Sequence, residues 1–258
     1  MNFKKILICA DIHKDAGSAD YRLSHIKEEK PDLLVHCGDL SSWGEWKRSL
    51  EWLIESLKCH IALVPGNHDF YCKRRQNIWE IQDHQESFCK ELGVTYLQKE
   101  NLQIGPHLWL VGSSLWYDYS FKLDRDYSDR ELEEGFSNGI QWNDMISVDT
   151  GEGIYDPMVA KKLLGELQTR IKAIPESDKL VVVSHCCPYE ELNAHKPSLF
   201  NAYSGQKNAG KYFDTLGDRV VAGYCGHTHR KAVYKQWVNT GSDYDGLVKY
   251  KIFQAAKA

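Results

Sequence analysis

The segment Ile6-Leu7-Ile8-Cys9-Ala10-Asp11-Ile12-His13 decides the fold, because in it an apolar run passes directly into two polar side chains. The run from Ile6 to Ala10 is short and apolar, as expected of a β-strand buried on both faces. Asp11 ends the run, and His13 follows two positions later. The sequence therefore predicts a buried strand whose carboxyl end carries polar groups.

The same arrangement recurs along the chain and predicts an α/β sandwich. Five further apolar runs are each followed by polar or glycine residues: Leu33–Cys37, Ile61–Val64, Leu108–Gly112, Leu180–Val183 and Val220–Ala222. Amphipathic stretches between them predict helices at Tyr21–Lys30, Trp46–Lys58, Gln76–Leu92 and Pro157–Ile174. Gly93 is the expected C-cap of the third helix, and Pro157 suits the first turn of the fourth. Alternating strands and helices favour a layered α/β fold.

The carboxyl-terminal region has a different pattern. Ala232–Val238 and Leu247–Phe253 alternate apolar and polar residues, and a segment rich in glycine and aspartate separates them. This pattern predicts an antiparallel hairpin that closes one edge of a sheet.

Length and composition favour one globular domain that spans residues 1–258. Hydrophobic residues make up 42% of the chain, enough for a real core. The net charge of −4 gives no general attraction to nucleic acid or to anionic membranes. The longest apolar runs fall far short of the roughly 20 residues that span a bilayer.

The eight cysteines are scattered, and several lie in strand-like runs where a free thiol behaves as a small hydrophobic group. The apolar run from Ile6 to Ala10 is too short for the apolar region of a signal peptide, so we expect it to be the first buried strand. We therefore expect reduced thiols and a cytoplasmic protein. Cys186 and Cys187 are adjacent, and two thiols in a loop are favoured over a redox or metal element.

Residues 116–156 stand apart as an acidic, aromatic insertion. They carry a net charge of −8 and leave +4 on the rest of the chain, and they contain eight aromatic residues. A long insertion of this kind is often a lid or binding loop. A solvated surface excursion with its own aromatic cluster is an equal alternative.

Five short motifs follow candidate strands and carry the chemistry of the chain. They are Asp11-Ile12-His13, Gly38-Asp39, Gly66-Asn67-His68-Asp69, Ser184-His185 and Gly226-His227-Thr228-His229. Each motif alone is common by chance, and a lone histidine after a strand is more often structural. Together they fall at the carboxyl ends of strands, where open α/β sheets assemble their sites.

The spacing of the motifs suits shared ligands. Residues two apart in an extended chain point the same way. Asp11 and His13 would then reach one metal while Ile12 turns into the core, and His227 and His229 would do the same. The glycines that precede Asp39, Asn67 and His227 would let the backbone bend sharply.

Imidazole and carboxylate together suit divalent Mn, Fe or Zn better than Ca, and we favour Mn. Two such cations roughly 3.5–4 Å apart can clamp the attacking and leaving oxygens of a phosphoryl displacement. The motif set therefore predicts two adjacent divalent metal ions.

The ordered set of five motifs resembles the calcineurin-like metallophosphoesterase superfamily, over residues 11 to 229. The resemblance implies a four-layer αββα sandwich with its site at the sheet edge, here with the acidic aromatic insertion added. The segment from Ser184 through Pro188 to Tyr203 resembles bacterial members of unassigned substrate. Gly112–Trp116 and Trp142–Asp144 do so more weakly.

The resemblance also implies residue roles. The first metal would be held by Asp11, His13 and His229, the second by Asn67, His185 and His227, and Asp39 would bridge both. Asn67 would bind through its amide oxygen. His68 would not ligate; it would contact the phosphate and protonate the leaving oxygen, while Asp69 would orient the loop. A hydroxide that bridges the metals would attack phosphorus in line.

One departure from the family pattern concerns the loop after the second strand. Phosphoprotein phosphatases of the superfamily read Gly-Asp-x-x-Asp-Arg-Gly there, whereas this chain has Ser42 and Trp43 at the aspartate and arginine positions. A protein serine/threonine phosphatase is therefore not favoured. Substitute positive charge could come from Lys73, Arg74, Arg75 or Lys196, although solvated surface bases are the favoured interpretation of each.

We therefore expect a phosphomonoesterase or phosphodiesterase that acts on a small molecule, such as a nucleotide stacked on the aromatic insertion. A nuclease is the alternative, but the −8 segment argues against extended nucleic acid. A non-catalytic scaffold ranks last, because all seven ligand positions and His68 are filled. Substrate identity and oligomeric state cannot be predicted from the sequence.

Overall fold

The computed structural model describes residues 3–17, 19–72, 75–122, 127–137, 139–195, 198–241 and 251–253, the last three by their backbone. The strands, in chain order, are β1 (Ile6–Cys9), β2 (Leu33–Cys37), β3 (His60–Val64), β4 (Thr95–Tyr96), β5 (Leu102–Gly105), β6 (Leu108–Ser113), β7 (Phe136–Ser137), β8 (Ile140–Gln141), β9 (Lys179–Ser184), β10 (Val220–Cys225), β11 (Ala232–Tyr234), β12 (Trp237–Asn239) and β13 (Lys251–Phe253). The α-helices are α1 (Ala19–Glu29), α2 (Trp43–Leu57), α3 (Ile78–Leu92), α4 (Asp129–Glu134), α5 (Asp144–Ser147), α6 (Asp156–Lys172) and α7 (Lys207–Leu216).

The strands form two main sheets. The first has the order β13-β1-β2-β3-β4, and the second has the order β11-β12-β10-β9-β6-β5. Strands β1 to β4 are mutually parallel, as are β6, β9, β10 and β12, whereas the edge strands β13, β5 and β11 are antiparallel to their neighbours. Strands β7 and β8 form a separate two-stranded ribbon.

Alternation of side chains along the strands builds four layers. In β1, Ile6 and Ile8 pack in a core shared with the second sheet, whereas Leu7 packs against the helices α1 and α2. In β9, Val181 faces that same inter-sheet core, whereas Val182 packs in the outer core that holds α6. The protein is therefore an α/β sandwich with helices outside two stacked sheets, as predicted.

The six strands predicted from apolar runs and the four predicted helices are confirmed, with boundaries shifted by up to three residues. Gly93 caps α3 in the left-handed conformation, with φ 70°. Proline lies in the first turn of α6.

The predicted carboxyl-terminal hairpin is wrong. Ala232–Val238 folds back on itself, because β11 and β12 pair antiparallel around a turn at Lys235 and Gln236. Lys251–Phe253 pairs instead with β1 in the other sheet. The remainder of the predicted second strand, residues 247–250, lies outside the described residues. Alternation predicts a strand but not its partner, and here both partners were assigned incorrectly.

Residues 116–156 contain more regular structure than the sequence indicated. Their described parts include the helices α4 and α5 and the β7–β8 ribbon. Trp116, Tyr117 and Phe121 are fully buried and pack in the outer core with α6. This first part of the segment is therefore built into the helical layer.

All eight cysteines are free thiols, and those at 9, 37, 89, 186, 187 and 225 are buried. The sulfur atoms of Cys187 and Cys225 lie 3.9 Å apart. Within the described parts of the chain, no helix combines the length and apolar character needed to traverse a bilayer.

Candidate metal centre

Polar side chains from five loops meet where parallel strands of both sheets end. The loops after β1, β2 and β3 belong to the first sheet, and the loops after β9 and β10 belong to the second. Backbone hydrogen bonds join neighbouring loops, including Asp11 N to Gly38 O (2.9 Å) and Gly226 N to His185 O (3.1 Å). The predicted site residues brought together in this way are Asp11, His13, Asp39, Asn67, His68, His185, His227 and His229.

The backbone at these loops is left-handed rather than extended. Positive φ angles occur at Asp11 (55°), His13 (46°), Asp39 (61°), His227 (73°) and His229 (56°). The prediction that an extended backbone aligns Asp11 with His13 is therefore wrong, although the side chains do converge and Ile12 is buried. Such a conformation costs a non-glycine residue about 1–2 kcal/mol and is concentrated at functional sites.

Two glycines allow close approach of the loops. A Cβ atom on Gly38, whose φ is 93°, would lie 2.4 Å from Nδ1 of His185. A Cβ atom on Gly66 would lie 2.2 Å from Oδ1 of Asp39. Only glycine therefore fits at these two positions, because any side chain would displace Asp39 or His185.

The first group of candidate ligands comprises Asp11, His13, Asp39 and His229, whose donor atoms all lie within 4.8 Å of one another. The Nε2 atoms of His13 and His229 are 3.1 Å apart. Nε2 of His13 lies 3.6 Å from Oδ2 of Asp39, and Nε2 of His229 lies 3.6 Å from Oδ1 of Asp11. Two imidazoles and two carboxylates thus surround one point.

The second group comprises Asp39, Asn67, His185 and His227. Oδ1 of Asn67 lies 2.9 Å from Nε2 of His185 and 3.0 Å from Nδ1 of His227, and those two nitrogens are 3.1 Å apart. Oδ1 of Asp39 is 3.4 Å from Nε2 of His185. Ligand atoms of a tetrahedral site with bonds of about 2.1 Å are about 3.4 Å apart, so the group has the dimensions of a cation site.

Hydrogen bonds to backbone carbonyls orient the imidazoles of the second group. Nδ1 of His185 donates to the carbonyl of Cys37 (2.9 Å), and Nε2 of His227 donates to the carbonyl of Tyr203 (2.8 Å). Because a carbonyl only accepts, the other nitrogen of each ring is left for a ligand. These two nitrogens and the Asn67 oxygen therefore converge on one point, and a divalent cation fits between them once the free nitrogen of His185 has lost its proton.

The electrostatics of the two groups also suit a cation. Burial lowers the pKa of His13 to about 4, and burial with the neighbouring His185 lowers the pKa of His227 to about 3, so both rings are neutral. Burial alone would raise the pKa of Asp39, but the imidazole of His185 holds it well below its usual value. Against the effect of burial, Asp39 raises the pKa of His185 to about 10 in the metal-free chain. Neutral imidazole and ionised carboxylate are the ligating forms.

Asp39 serves both groups, with Oδ2 toward His13 and Oδ1 toward His185. The buried carboxylate of Asp69 holds the loop that carries Asp39. It accepts four backbone hydrogen bonds of 2.7–3.1 Å. The donors are the N–H groups of Asp39, Leu40, Ser41 and Gly66. Asp69 therefore joins the β2 and β3 loops.

His68 lies beside both groups without joining either. Its backbone N–H donates to Oδ1 of Asp39 (2.9 Å), and its ring packs edge-on to His13 with centroids 4.6 Å apart. The ring of Tyr71 stacks on the His68 ring with centroids 4.3 Å apart. His68 is half-buried and lines an open pocket of about 470 Å³ above Asp39.

The structure explains what stands at the two positions that depart from the family pattern. Ser42 precedes α2 and Trp43 begins it, and the indole of Trp43 donates to Gln76 and packs near Trp46. Neither of the two lines the pocket. Arg75 is exposed and outside the pocket lining, while Lys73, Arg74 and Lys196 lie outside the described residues.

Sequence reasoning missed several residues of the pocket wall. The wall includes His195, Ser198, Phe200, Ser204 and Arg230, in addition to Trp142. Arg230 directly follows the His227-Thr228-His229 motif, which was a signal for it. His195, whose ring bonds the carbonyl of Thr228, has no such local signal because the contact spans 33 positions.

Comparison with known proteins identifies a matching family and similar folds. The profile of the calcineurin-like phosphoesterase family matches residues 4–231. No curated protein matches the chain. The crystal structure of phosphopantetheinyl hydrolase from Mycobacterium tuberculosis is similar, with a TM-score of 0.79 and 18% identity over 98% of each chain. A dimetal phosphatase from Danio rerio is similar with a TM-score of 0.53 and 13% identity, over 91% of this chain and 86% of that one.

Proposed function

This chain belongs to the calcineurin-like phosphoesterase family, and from that premise we propose that it is a two-metal phosphoesterase. In this proposal Asp11, His13 and His229 hold one cation, Asn67, His185 and His227 hold the other, and Asp39 bridges them. The observation that carries the proposal is the pair of acceptor groups that share Asp39 at the floor of an open pocket.

Two divalent cations, when bound, would supply Lewis-acid activation of water and neutralise charge on the phosphoryl oxygens. The chain itself would orient the ester in the pocket and exclude bulk water from its floor. His68 would donate a ring proton to the leaving oxygen, and its contact with His13 and Tyr71 supports a fixed ring orientation. No side chain would form a covalent intermediate with phosphorus.

We propose Mn²⁺ as the working metal. The combination of imidazole nitrogen, carboxylate oxygen and one amide oxygen suits Mn, Fe or Zn. Mn²⁺ accepts mixed oxygen and nitrogen ligands, so it is the first cation to test.

The pocket supports a small organic phosphate ester as substrate. Its volume of about 470 Å³ matches a ligand of moderate size. Trp142 and Phe200, with ring centroids 5.4 Å apart, offer an aromatic surface for the organic part. Arg230 on the wall could hold a second anionic group. The −8 charge of residues 116–156 disfavours a nuclease that tracks extended nucleic acid.

A phosphopantetheinyl ester is a specific candidate substrate. The phosphopantetheinyl hydrolase structure matches this chain over 98% of both lengths. An ester of that class carries a flexible organic chain that the aromatic wall could contact. It therefore belongs in the substrate screen beside nucleotides.

Three further features complete the proposal. Residues 1–258 would act as one domain, and residues 116–156 would form a wall or lid of its pocket through Trp142. The free thiols, several of them fully buried, suit the reducing cytoplasm. A non-catalytic scaffold stays the last alternative, and it should purify without two tightly held transition metals.

A substrate screen tests the activity directly. The screen would contain p-nitrophenyl phosphate, bis-p-nitrophenyl phosphate, cyclic nucleotides, a phosphopantetheinyl ester and single-stranded DNA, each with and without Mn²⁺. We expect Mn²⁺-dependent hydrolysis of at least one small ester and little turnover of DNA. A protein that binds two Mn²⁺ ions yet hydrolyses none of these would contradict the proposal.

The role of His68 can be separated from metal binding. His68→Ala should lower kcat by about 10²–10⁴-fold, because proton donation to the leaving oxygen is lost. Both metals should stay bound, as measured by elemental analysis of the purified variant. His25→Ala, on the outer helix α1, is the control and should keep full turnover. Loss of metal in proportion to activity in His68→Ala would overturn the acid role.

A further inference from the structure

Asp144, at the start of α5 in the acidic segment, lies directly behind the second ligand group. Its side chain is buried, and its residue belongs to neither group of candidate ligands. Oδ1 accepts hydrogen bonds from Nδ2 of Asn67 (2.9 Å) and from the hydroxyl of Tyr71. Oδ2 accepts from the hydroxyl of Tyr117 (3.0 Å). The carboxylate thus gathers three donors, one of which belongs to a candidate ligand.

The contact with Asp144 decides which end of the Asn67 amide faces the site. An ionised carboxylate can only accept, so the amide NH₂ turns toward it. The amide oxygen is then directed at Nε2 of His185 and Nδ1 of His227. Rotation of the amide by half a turn would present a donor to the cation and remove one ligand.

The same carboxylate also fixes Tyr71. The Tyr71 hydroxyl bonds Oδ1 of Asp144, and it lies 3.3 Å from Nδ2 of Asn67. The Tyr71 ring stacks on His68 with an interplanar angle of 25°. A single buried group therefore supports both a candidate ligand and the ring behind the candidate acid.

We propose that Asp144 is the positioning residue through which residues 116–156 set Asn67 for the second cation and His68 for proton donation. The inference rests on the proposed two-metal function. It gives the acidic segment a structural part in the site. The three hydrogen bonds of Asp144 run to Asn67, Tyr71 and Tyr117, so removal of Asp144 should weaken the second cation more than the first.

Metal titration of the metal-free protein tests the first half without any substrate. Mn²⁺ alone is titrated into the wild type, Asp144→Asn and Asp144→Ala, and two dissociation constants are fitted. Asp144→Ala should weaken the second site by about 10–100-fold, as is typical for loss of a group that orients a ligand. Asp144→Asn keeps an acceptor but loses the charge, so a weakening of about 3–10-fold is expected.

Asp156→Asn is the matched control, because Asp156 is a second buried carboxylate of the same segment. It accepts from the indole of Trp116 (2.7 Å) and the hydroxyl of Tyr119, whereas the carboxylate that bonds Asn67 is Asp144. Both Mn²⁺ constants should stay within about twofold of the wild type. Equal weakening in Asp156→Asn and Asp144→Asn would overturn the proposal, and this comparison decides the matter even if Asp144→Ala does not fold.

Kinetics test the second half. Tyr71→Phe keeps the ring against His68 but loses the bond to Asp144, so kcat should fall by about 10-fold with KM and the Mn²⁺ constants little changed. Tyr119→Phe is the control: it also keeps its ring but loses a hydroxyl bond to a different buried carboxylate, Asp156, and it should leave kcat unchanged. An equal fall in the two variants would contradict the link between Asp144 and His68.

The outcomes separate this inference from the function on which it rests. Wild-type protein that binds no pair of Mn²⁺ ions would overturn both. Two-site binding that is identical in the wild type and both Asp144 variants would overturn the inference alone.

Discussion

At the scale of single residues, buried carboxylates divide the work of the candidate site. Asp39 faces both ligand groups, and Asp69 holds the loops that carry it. Asp144 and Asp156 lie farther out, each bonded to aromatic donors. Asp39 was predicted as a ligand and Asp69 as a group that orients its loop, because both lie in short motifs. Asp144 and Asp156 act through contacts that only folding creates.

Asp156 should make stability depend on pH. Burial raises the pKa of its carboxyl from 3.8 to about 6. The native state then holds a proton that the unfolded state releases. The contribution of Asp156 to the free energy of unfolding therefore falls as pH rises from about 4 to 6 and stays constant above pH 6. The shift corresponds to a penalty of about 3 kcal/mol at neutral pH.

Thermal unfolding of the wild type and Asp156→Asn, both in EDTA, would measure this effect. The wild type should gain stability relative to the variant as pH falls from 7.5 to 5. Glu152→Gln, which removes an exposed carboxylate of the same segment, serves as control and should show no such change. A difference between wild type and Asp156→Asn that is the same at both pH values would contradict the pKa shift.

At the scale of secondary structure, local sequence patterns predicted where strands and helices form, whereas long-range contacts determined which strands pair. The apolar run of β1 and the residues after it were predictable, because burial on both faces leaves a continuous apolar signal. The partner of β13 could not be predicted, because alternation within Lys251–Phe253 carries no information about β1, which lies more than 240 positions away. The left-handed backbone at Asp11 and His227 was also hidden, because it is imposed by neighbouring loops.

The hairpin of β11 and β12 has a role that its sequence did not indicate. Asn239, at the end of β12, is fully buried, and its amide nitrogen contacts the carbonyl of Gly226 (3.0 Å) and the hydroxyl of Thr228 (2.8 Å). It thereby ties the hairpin to the loop that presents His227 and His229. The edge of the second sheet thus supports two of the seven candidate ligands.

Asn239→Ala should loosen that loop. We expect a loss of about 2–3 kcal/mol, because buried carbonyls lose their donor, and hence a fall in Tm of several degrees. Mn²⁺ affinity should fall at both sites, because His229 belongs to the first ligand group and His227 to the second. Val238→Ala, which shortens a neighbouring half-buried side chain, is the control: it should leave Mn²⁺ affinity unchanged. Equal Mn²⁺ affinity in Asn239→Ala and Val238→Ala would contradict this role.

At the scale of the whole molecule, the candidate ligands come from both sheets. Asp11, Asp39 and Asn67 follow strands of the first sheet, and His185 and His227 follow strands of the second. The two sheets also pack on each other through an apolar core that includes Val64 and Val183. Bound cations would therefore add a direct link between the two sheets. The family motifs show the order of the ligands along the sequence, but they do not show that the ligands come from two different sheets.

Metal should accordingly stabilise the native state as a whole. A cation that binds only the native state, at a free concentration 100 times its dissociation constant, adds about 2.7 kcal/mol per site. In a chain of this length that corresponds to a rise in Tm of about 5–10 °C per site, measured by differential scanning calorimetry with Mn²⁺ and with EDTA.

Two variants assign that rise to the ligands. Asp39→Asn should lose most of it, because Asp39 faces both groups. His68→Ala should keep all of it, because His68 belongs to neither group. If Mn²⁺ shifts the Tm of Asp39→Asn as much as that of the wild type, the cations bind elsewhere. The convergence of five loops would then have to be explained by the hydrogen bonds among them alone.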